Sequence, residues 1–228
     1  PQAVATMLDP ADCGPAFIGL AQDTQEIAFD YPAVFFEPKV WKIPRPRPDR
    51  DAVATAARLL AQAKRPLIIS GGGVRYSLAE ERLADFAAKR GIPVVETIAG
   101  KGALTHHHPV HAGPIGIVGS TSANALAKDA DVVLAIGTRL QDFTTGSWTA
   151  FSPDAQFISV NAARFDAVKH RALSVVGDAL ETIDDLDHAL GAYKADAAHM
   201  QRAKTLFAEW DNLLDEHQRI TNAPVPSY

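Results

Sequence analysis

Asp131-Val-Val-Leu-Ala-Ile-Gly-Thr-Arg-Leu-Gln-Asp-Phe-Thr-Thr-Gly146 is the stretch of sequence from which the fold is predicted. Residues 132–136 form a short apolar run rich in β-branched side chains, which is typical of a strand buried on both faces of a parallel sheet. The polar loop that follows carries Arg139 and Asp142, and ligands of open α/β sheets bind beyond the carboxyl ends of strands. The loop is therefore predicted to lie where a ligand would bind, although the spacing alone favours a plain ion pair between Arg139 and Asp142.

Short apolar runs and helical patterns alternate on both sides of this stretch. Strands are predicted at 67–69, 92–95, 132–136, 156–160 and 174–176. Helices are predicted at 51–63, from a Ser77–Glu80 capping box to Gly91, at 122–128, from Asp178 to Gly191, and at 196–219. This order predicts an α/β fold. It is a Rossmann-like, doubly wound parallel sheet of five to six strands, with helices on both faces and right-handed crossovers.

The composition excludes several classes of function. The 228 residues carry 22 basic and 27 acidic side chains, a formal net charge of −5, which argues against nucleic acid as a partner. Cys13 is the only cysteine, so an internal disulfide and a multi-cysteine metal site are excluded, and a reducing compartment is indicated. No apolar run is long enough to span a bilayer, and no signal-peptide pattern opens the chain. A soluble cytoplasmic protein without a membrane partner is expected.

The chain is expected to consist of four parts. Residues 1–30 hold a helix end and one apolar run, Ala16-Phe17-Ile18, suited to a buried strand; they are interpreted as the tail of a preceding domain. Residues 31–50 are a proline-rich linker. Residues 51–191 form the main domain, and residues 192–228 are a helix and a linker toward a further domain. Both ends are thus expected to be cut from something larger.

The linker also carries Phe35, Phe36 and Trp41. These aromatic side chains are expected to dock on the chain's own body, in preference to the alternative of a proline-rich ligand for an SH3-type domain.

Gly71-Gly72-Gly73 follows a predicted strand and precedes a helical segment. Its backbone N–H groups could face a phosphate, but tight strand-to-helix turns also use glycine, and the sequence is neither Gly-x-Gly-x-x-Gly nor a P-loop. Nucleotide binding and turn formation are evenly matched at this position.

The histidines His106, His107, His108 and His111 invite a metal interpretation. Adjacent histidines cannot all point at one ion, and no acidic or cysteine ligand stands at useful spacing, so a solvated loop is favoured and no metal ligand is assigned. Cys13 has no partner base in sequence, and no nucleophile elbow is present, so no catalytic residue is assigned.

Together these patterns resemble a known family. The resemblance rests on the stretches Lys64-Arg-Pro-Leu-Ile-Ile-Ser-Gly-Gly-Gly73, Gly91-Ile-Pro-Val94, the glycine-punctuated loop from His108 to Gly119, Asp131 to Asp142, and Gly177-Asp178. These are similar to the central domain of thiamine-diphosphate-dependent enzymes, and the acetolactate synthase group is the nearest broad match.

The flanks sharpen the resemblance. Gly14 to Gln25 resembles the last strand of the family's pyrimidine-binding domain. Glu26-Ile-Ala-Phe-Asp-Tyr-Pro32, with Phe35-Phe36 and Val40-Trp41, is most similar to a hydrolase of inositol breakdown within the family. That resemblance implies cleavage of a C–C bond in a cyclic 1,2-dione with addition of water, giving an open-chain sugar acid.

The resemblance also implies the cofactors and partners. Thiamine diphosphate supplies the chemistry of C–C cleavage beside a carbonyl, and in such enzymes it and its Mg²⁺ are held by the flanking pyrimidine and pyrophosphate domains of the same polypeptide. Gly177-Asp178-Ala179 lacks the glycine and the downstream asparagine of the diphosphate-binding motif. The chain is therefore expected to be inactive alone and to belong to a full-length homo-oligomer.

The family's central domain sometimes binds FAD or an adenine nucleotide such as ADP. The residues at matching positions are candidate cofactor contacts: Gly71, Gly72, Gly116, Gly119, Gly137, Arg139, Asp142 and Asn161. In acetolactate synthases a carboxylate usually stands near the position of Asn161, and its loss here favours an empty, structural version of the site.

Two classes of function stay open. One is the spacer and assembly domain of a thiamine enzyme, with the hydrolase ahead of an acetolactate synthase-like carboligase or decarboxylase. The other is a stand-alone module that binds FAD or an adenine nucleotide.

Overall fold

The sheet is built from six strands that all run parallel. In the computed structural model, which describes residues 1–218, the strand order is β3-β2-β1-β4-β5-β6. The strands are β1 (Pro66–Ser70), β2 (Val94–Glu96), β3 (His111–Pro114), β4 (Val132–Ile136), β5 (Gln156–Asn161) and β6 (Leu173–Val176). The predicted doubly wound α/β fold is confirmed, with the strand count at the upper end of the prediction.

Strand β4 lies at the centre of this sheet, as its sequence predicts. Its residues pair in register with β1 on one side, where Leu134 is opposite Ile68, and with β5 on the other, where Leu134 is opposite Ile158. All five of its residues are buried. A strand with two neighbours and two covered faces has no solvent side, which explains its uninterrupted apolar run.

Helices cover both faces of the sheet. They are α3 (Arg50–Ala61), α4 (Gly72–Tyr76), α5 (Glu80–Arg90), α6 (Thr121–Asp129), α7 (Asp142–Thr145), α8 (Arg164–Ala167), α9 (Ala179–Ala189) and α10 (Ala197–Gln218). Because side chains alternate along a strand, Leu134 packs into the core on the side of α3, α5 and α9, and Val133 packs into the core on the side of α6 and α10.

Strand β3 was missed by the sequence prediction, which placed these residues in the glycine-punctuated loop from His108 to Gly119. Its sequence is His111-Ala-Gly-Pro114, without a β-branched residue, and it pairs only with β2, at the edge of the sheet. Proline is tolerated at such an edge because one side of the strand has no ladder to complete. Edge position therefore explains both the strand and its weak signal.

The caps of the helices agree with the sequence at two places and disagree at one. Asp178 accepts hydrogen bonds from the N–H groups of Leu180 and Glu181 and so caps α9, as predicted. The helix α5 ends at Gly91, which has a left-handed φ of 66°. The predicted capping box of Ser77 with Glu80 is wrong: Ser77 closes the short helix α4, and its hydroxyl donates to Asp178 Oδ2 at 2.6 Å.

The segment Pro1–Arg45 forms a unit separate from the one that begins at Pro46. It contains α1 (Gln2–Leu8), α2 (Gln22–Gln25) and a 3₁₀ turn at Ala33–Phe36. The predicted strand at 16–18 is wrong, since these residues pair with no strand in the part of the chain that the structure describes, and Phe17 is 95 % exposed. An apolar run becomes a strand only where a neighbouring strand can complete its hydrogen bonds.

The aromatic side chains of the proline-rich segment differ from one another in exposure. Phe35 and Phe36 are exposed and contact Tyr31, with ring centroids 4.7 and 6.2 Å away, whereas Trp41 is partly buried. The expected burial of the two phenylalanine rings is thus not confirmed.

The carboxyl-terminal part of the described chain is the long helix α10. Helix α10 packs against α6 and β3, and buries Ala203 while partly burying Met200, Phe207, Trp210 and Leu214, as its spacing predicts. The predicted linker at 224–228 lies outside the described residues.

Among residues 1–218, none of the helices combines the length and apolarity needed to cross a bilayer.

Candidate functional site

The candidate site is a crevice beyond the carboxyl ends of β1 and β4. These two strands are neighbours, and the chain leaves β1 toward β2 on one side of the sheet and leaves β4 toward β5 on the other. This is the topological switch point, where open α/β sheets bind their ligands. The crevice has a volume of 650 Å³ and is lined by Gly72, Gly73, Thr97, Ile98, Ala99, Gly137, Thr138, Arg139, Gln141, Phe143 and Thr144.

The two glycine turns at the floor of this crevice pack directly on each other. A Cβ added to Gly73 would lie 2.6 Å from the Cα of Gly137, and a Cβ added to Gly71 would lie 2.6 Å from the Cβ of Thr138. Gly137 also has a left-handed φ of 62°, so it needs glycine for its conformation as well. The glycines at 71, 73 and 137 are therefore required by the approach of one backbone to another.

Three backbone N–H groups of these turns, those of Gly71, Gly73 and Gly137, are already used. Gly71 donates to the carbonyl of Ile136 at 2.9 Å, and Gly73 donates to the carbonyl of Gly137 at 2.9 Å. Gly137 donates to the carbonyl of Val160 at 2.8 Å. A phosphate cradle needs such N–H groups pointing at the ligand. Here they hold neighbouring strand ends together instead.

The loop with Gly116 and Gly119 is held in the same way. Gly116 donates its N–H to Asn124 Oδ1 at 3.0 Å, and its carbonyl accepts from Asn124 Nδ2 at 2.9 Å. Gly119 donates to the carbonyl of Gly116 at 2.9 Å. A Cβ added to Gly116 would collide with the carbonyl oxygen of Phe143. These two glycines pack the loop against α6 and α7, and neither lines the crevice.

Arg139 and Asp142 do not pair with each other, contrary to the simplest interpretation of their spacing. Arg139 Nε lies 3.3 Å from Asp166 Oδ2, although the arginine side chain is 67 % exposed. Asp142 Oδ1 accepts from the N–H and the hydroxyl of Ser147, at 2.9 and 2.7 Å. The carboxylate partner of Arg139 comes from the short helix α8, which follows β5, and sequence spacing could not reveal it.

Asn161 is also committed to the backbone around it. Its Nδ2 donates to the carbonyl of Thr138 at 3.2 Å, and its Oδ1 accepts from the N–H of Ala163 at 3.0 Å. The side chain therefore ties the end of β5 to the end of β4.

The structure brings only some of the predicted contacts together. Gly72, Gly137 and Arg139 line the crevice, and Arg139 and Asp142 line a neighbouring cavity of 450 Å³. Gly71, Gly116, Gly119 and Asn161 lie in the supporting backbone. Sequence analysis missed the loop after β2, Thr97-Ile98-Ala99, as the third wall of the crevice; its position after a predicted strand was the available signal.

A buried carboxylate supports that wall from behind. Glu96 accepts the N–H groups of Leu104 and Gly102 at 2.8 and 3.3 Å, and its Oε2 lies 3.4 Å from His111 Nε2. Burial alone would raise the pKa of the Glu96 carboxyl, but His111 and the two N–H groups lower it below its ordinary value. Glu96 is thus an anion that orders residues 100–104, which sequence analysis did not identify.

The two glycine-containing turns at 71–73 and 177–178 do not fit a diphosphate site. The N–H groups of Gly71, Gly73 and Gly137 are occupied, and α4 is a helix of only five residues. At the other glycine–aspartate pair, Gly177 donates to the carbonyl of Asn161, and Asp178 caps α9 and accepts from Ser77. Neither place presents the donor cluster that FAD, ADP or thiamine diphosphate needs.

Comparison with known proteins agrees with the resemblance seen in the sequence. Residues 53–186 match the family model of the thiamine pyrophosphate enzyme central domain. Similar proteins include 3D-(3,5/4)-trihydroxycyclohexane-1,2-dione hydrolases from three bacteria. That of Clostridium perfringens (strain ATCC 13124) is 40 % identical over 221 residues, and that of Listeria monocytogenes serotype 4b is 43 % identical over 220. That of Geobacillus thermodenitrificans is 42 % identical over 191 residues.

These matches cover most of this chain but only a small part of each relative. The first two cover 96 % of this chain and 34 % of each relative, and the third covers 84 % and 30 %. The chain therefore spans about a third of the length of the curated relatives it matches. Since the family model accounts for more than half of its residues, the chain belongs to the thiamine pyrophosphate enzymes, of which it carries the central domain.

Proposed function

We propose that this chain is the central, structural domain of a thiamine-diphosphate-dependent hydrolase that opens the ring of trihydroxycyclohexane-1,2-dione. The observation that carries the proposal is the extent of the similarity. Identity of 38–43 % reaches over 93–97 % of the chain in most of the related hydrolases, well beyond the family model at 53–186. The reaction would break one ring C–C bond with the addition of one water, giving an open-chain sugar acid.

Within such an enzyme, we propose that this chain serves to position the flanking domains. The N–H groups of Gly71 and Gly137 and the side chain of Asn161 join the ends of β1, β4 and β5. This makes a rigid sheet, on which flanking domains can be held at a fixed separation. Thiamine diphosphate and Mg²⁺ would be bound by those flanking domains, where they supply the C–C cleavage.

The domain assignment follows from the same proposal. Residues 1–30 would be the tail of a pyrimidine-binding domain and 31–50 a linker. Residues 51–191 would be the central domain, and 192–228 would lead toward a pyrophosphate-binding domain. The exposed free thiol of Cys13 is compatible with a reducing compartment such as the cytoplasm. Assembly into a homo-oligomer belongs to the same proposal.

The first test compares the 228-residue chain with the polypeptide encoded by its native reading frame. With thiamine diphosphate and Mg²⁺ added, only the longer polypeptide should consume the dione. Turnover by the 228-residue chain alone would refute the assignment to a structural domain. A reading frame without a downstream Gly-Asp-Gly…Asn motif would refute the enzyme itself.

The second test concerns the crevice. Calorimetric titration of the chain with FAD, ADP and thiamine diphosphate should give no saturable heat, because the N–H groups of Gly71, Gly73 and Gly137 are occupied. Micromolar binding of FAD or ADP that is weakened by Arg139→Ala, but not by the control Arg75→Ala, would favour the acetolactate synthase-like carboligase or the nucleotide-binding module. Tight binding of thiamine diphosphate would contradict the placement of this chain between the catalytic domains.

A further inference from the structure

The loop before β3 and the helix α10 bring two histidines and an aspartate together. His106 Nε2 lies 2.7 Å from Asp211 Oδ1, and one ligand atom from each of His106, His107 and Asp211 lies within 4.8 Å of the other two. We propose that these three side chains bind a divalent transition-metal ion of the Zn²⁺, Co²⁺ or Ni²⁺ class. This site is separate from the switch-point crevice and independent of the proposed hydrolase activity.

Sequence analysis offered two arguments against a metal here: adjacent histidines cannot all point at one ion, and no acidic ligand stands at useful spacing. The structure answers the second, because Asp211 reaches His106 from 105 positions further along the chain. Only two of the four histidines are needed. His108 accepts the N–H of Val110 with its Nδ1, and His111 is turned inward toward Glu96.

The set of donors selects the kind of metal. Two imidazoles and one carboxylate suit Zn²⁺ and its neighbours, whereas Mg²⁺ prefers oxygen ligands alone. Ligand atoms about 2.0–2.1 Å from a tetrahedral ion lie about 3.3 Å apart. The contact between His106 and Asp211 would therefore have to widen slightly. Their side chains are 44 % and 31 % exposed, so there is room for that movement and for a water molecule in the fourth position.

Neighbouring groups already hold His106 in place. Its ring packs against Phe207 and Trp210, with centroids 5.2 and 6.2 Å apart, and His111 Nδ1 donates to its carbonyl at 2.9 Å. A ligand whose ring and backbone are both fixed loses less freedom when it binds an ion. The bound metal would cross-link the loop before edge strand β3 to helix α10.

The test is calorimetric titration of the 228-residue chain, without a polyhistidine tag, with ZnCl₂ near neutral pH. We expect one ion per chain, and His107→Ala and Asp211→Asn should each weaken binding at least about tenfold. His108→Ala is the matched control and should change the affinity less than about twofold. Co²⁺ should give the visible absorption of a tetrahedral site in the wild type and lose it in Asp211→Asn.

Several outcomes would overturn the proposal. Zn²⁺ affinities that are equal in the wild type and in His107→Ala would do so, as would Mg²⁺ binding with the same affinity as Zn²⁺. A zinc effect that follows His108 instead of Asp211 would also reject this ligand set. Circular dichroism of each variant separates loss of binding from loss of folding. Failure of the hydrolase proposal would leave all these readouts unchanged, because none of them uses the dione or thiamine diphosphate.

Discussion

The buried guanidinium of Arg90 allows the sharpest test of what holds the fold together. The Arg90 side chain is 2 % exposed, and Asp187 on α9 faces it from a side chain that is 8 % exposed. Arg90 Nε donates to Asp187 Oδ1 at 2.9 Å, and its other nitrogens donate to the same carboxylate and to the carbonyls of Asp187, Gly191 and Tyr193. Replacing Asp187 with alanine would leave a buried cation without its counter-ion.

We expect Asp187→Ala to lower the free energy of unfolding by about 3–5 kcal/mol, the range found when one partner of a buried pair is removed. For a domain of this size, that corresponds to a fall in melting temperature of about 6–20 °C. Thermal and urea unfolding followed by circular dichroism measure both quantities. Asp185→Asn is the matched control: Asp185 lies on the same helix but pairs with an arginine that is 67 % exposed, so its loss should cost less than about 1 kcal/mol.

A second variant tests the cause of the loss. If the stranded charge is responsible, Arg90→Met added to Asp187→Ala should recover part of the stability, because an apolar side chain needs no counter-ion. A double variant that is less stable than Asp187→Ala alone would refute this reasoning. So would an Asp187→Ala variant as stable as the Asp185→Asn control.

The stabilisation that the Asp187 carboxylate contributes should depend on pH, and the contacts of that carboxylate determine the direction of the dependence. Burial alone would raise the pKa of the Asp187 carboxyl, but hydrogen bonds from Lys89, Arg82 and Arg90 outweigh it and hold the pKa well below its ordinary value of 3.8. A carboxyl with a depressed folded pKa contributes its full stabilisation above about pH 5 and loses it as the pH falls toward the folded pKa. The stability difference between wild type and Asp187→Asn should therefore be constant near neutrality and shrink in acid. A difference that grows as the pH is lowered would contradict this assignment.

Two further predictions concern the turns and the cap. Gly71→Ala should destabilise by at least about 3 kcal/mol, because its Cβ would enter the backbone at the end of β4, whereas Gly191→Ala, with a φ of 53° and nothing within 4 Å, should cost about 1–2 kcal/mol in urea unfolding. Equal losses would show that the close approach is unimportant. Ser77→Ala should cost about 1–3 kcal/mol, since its buried hydroxyl donates to Asp178, while Ser147→Ala removes an exposed serine–aspartate bond and should cost less than about 0.5 kcal/mol by the same assay. The reverse ranking would reject the buried bond as a stabilising contact.

The central strands were predictable because burial on both faces requires consecutive apolar residues, which local sequence shows directly. β1 and β4 are covered by helices on both faces and flanked by other strands, so each contains a continuous apolar run, residues 66–69 and 132–136. Edge strand β3 has one neighbour and therefore less demand on its side chains, and it was assigned to a loop. The run at 16–18 shows the converse error: local composition suited a strand, but no partner strand lies beside it among the described residues.

The candidate site was less predictable because its contacts join distant parts of the chain. Arg139 pairs with Asp166, Ser77 with Asp178, and His106 with Asp211. Spacing rules identify only partners within one helix turn or one loop, so they offered a nearby residue for Arg139 and for Ser77 and none for His106. The predicted Ser77 capping box and the Arg139–Asp142 pair were wrong for this one reason.

The glycines at the switch point show that a sequence motif can predict where a tight turn lies without predicting whether that turn binds a ligand. A nucleotide-binding turn and a turn packed against another backbone both require residues without a Cβ, so Gly71-Gly72-Gly73 predicts close approach in either case. What separates the two is the direction of the N–H groups, which depends on where Gly137 and Ile136 lie. Here the N–H groups of Gly71 and Gly73 are directed at neighbouring carbonyls. In a relative with the same glycines, these N–H groups could face a phosphate if the end of β4 lay elsewhere.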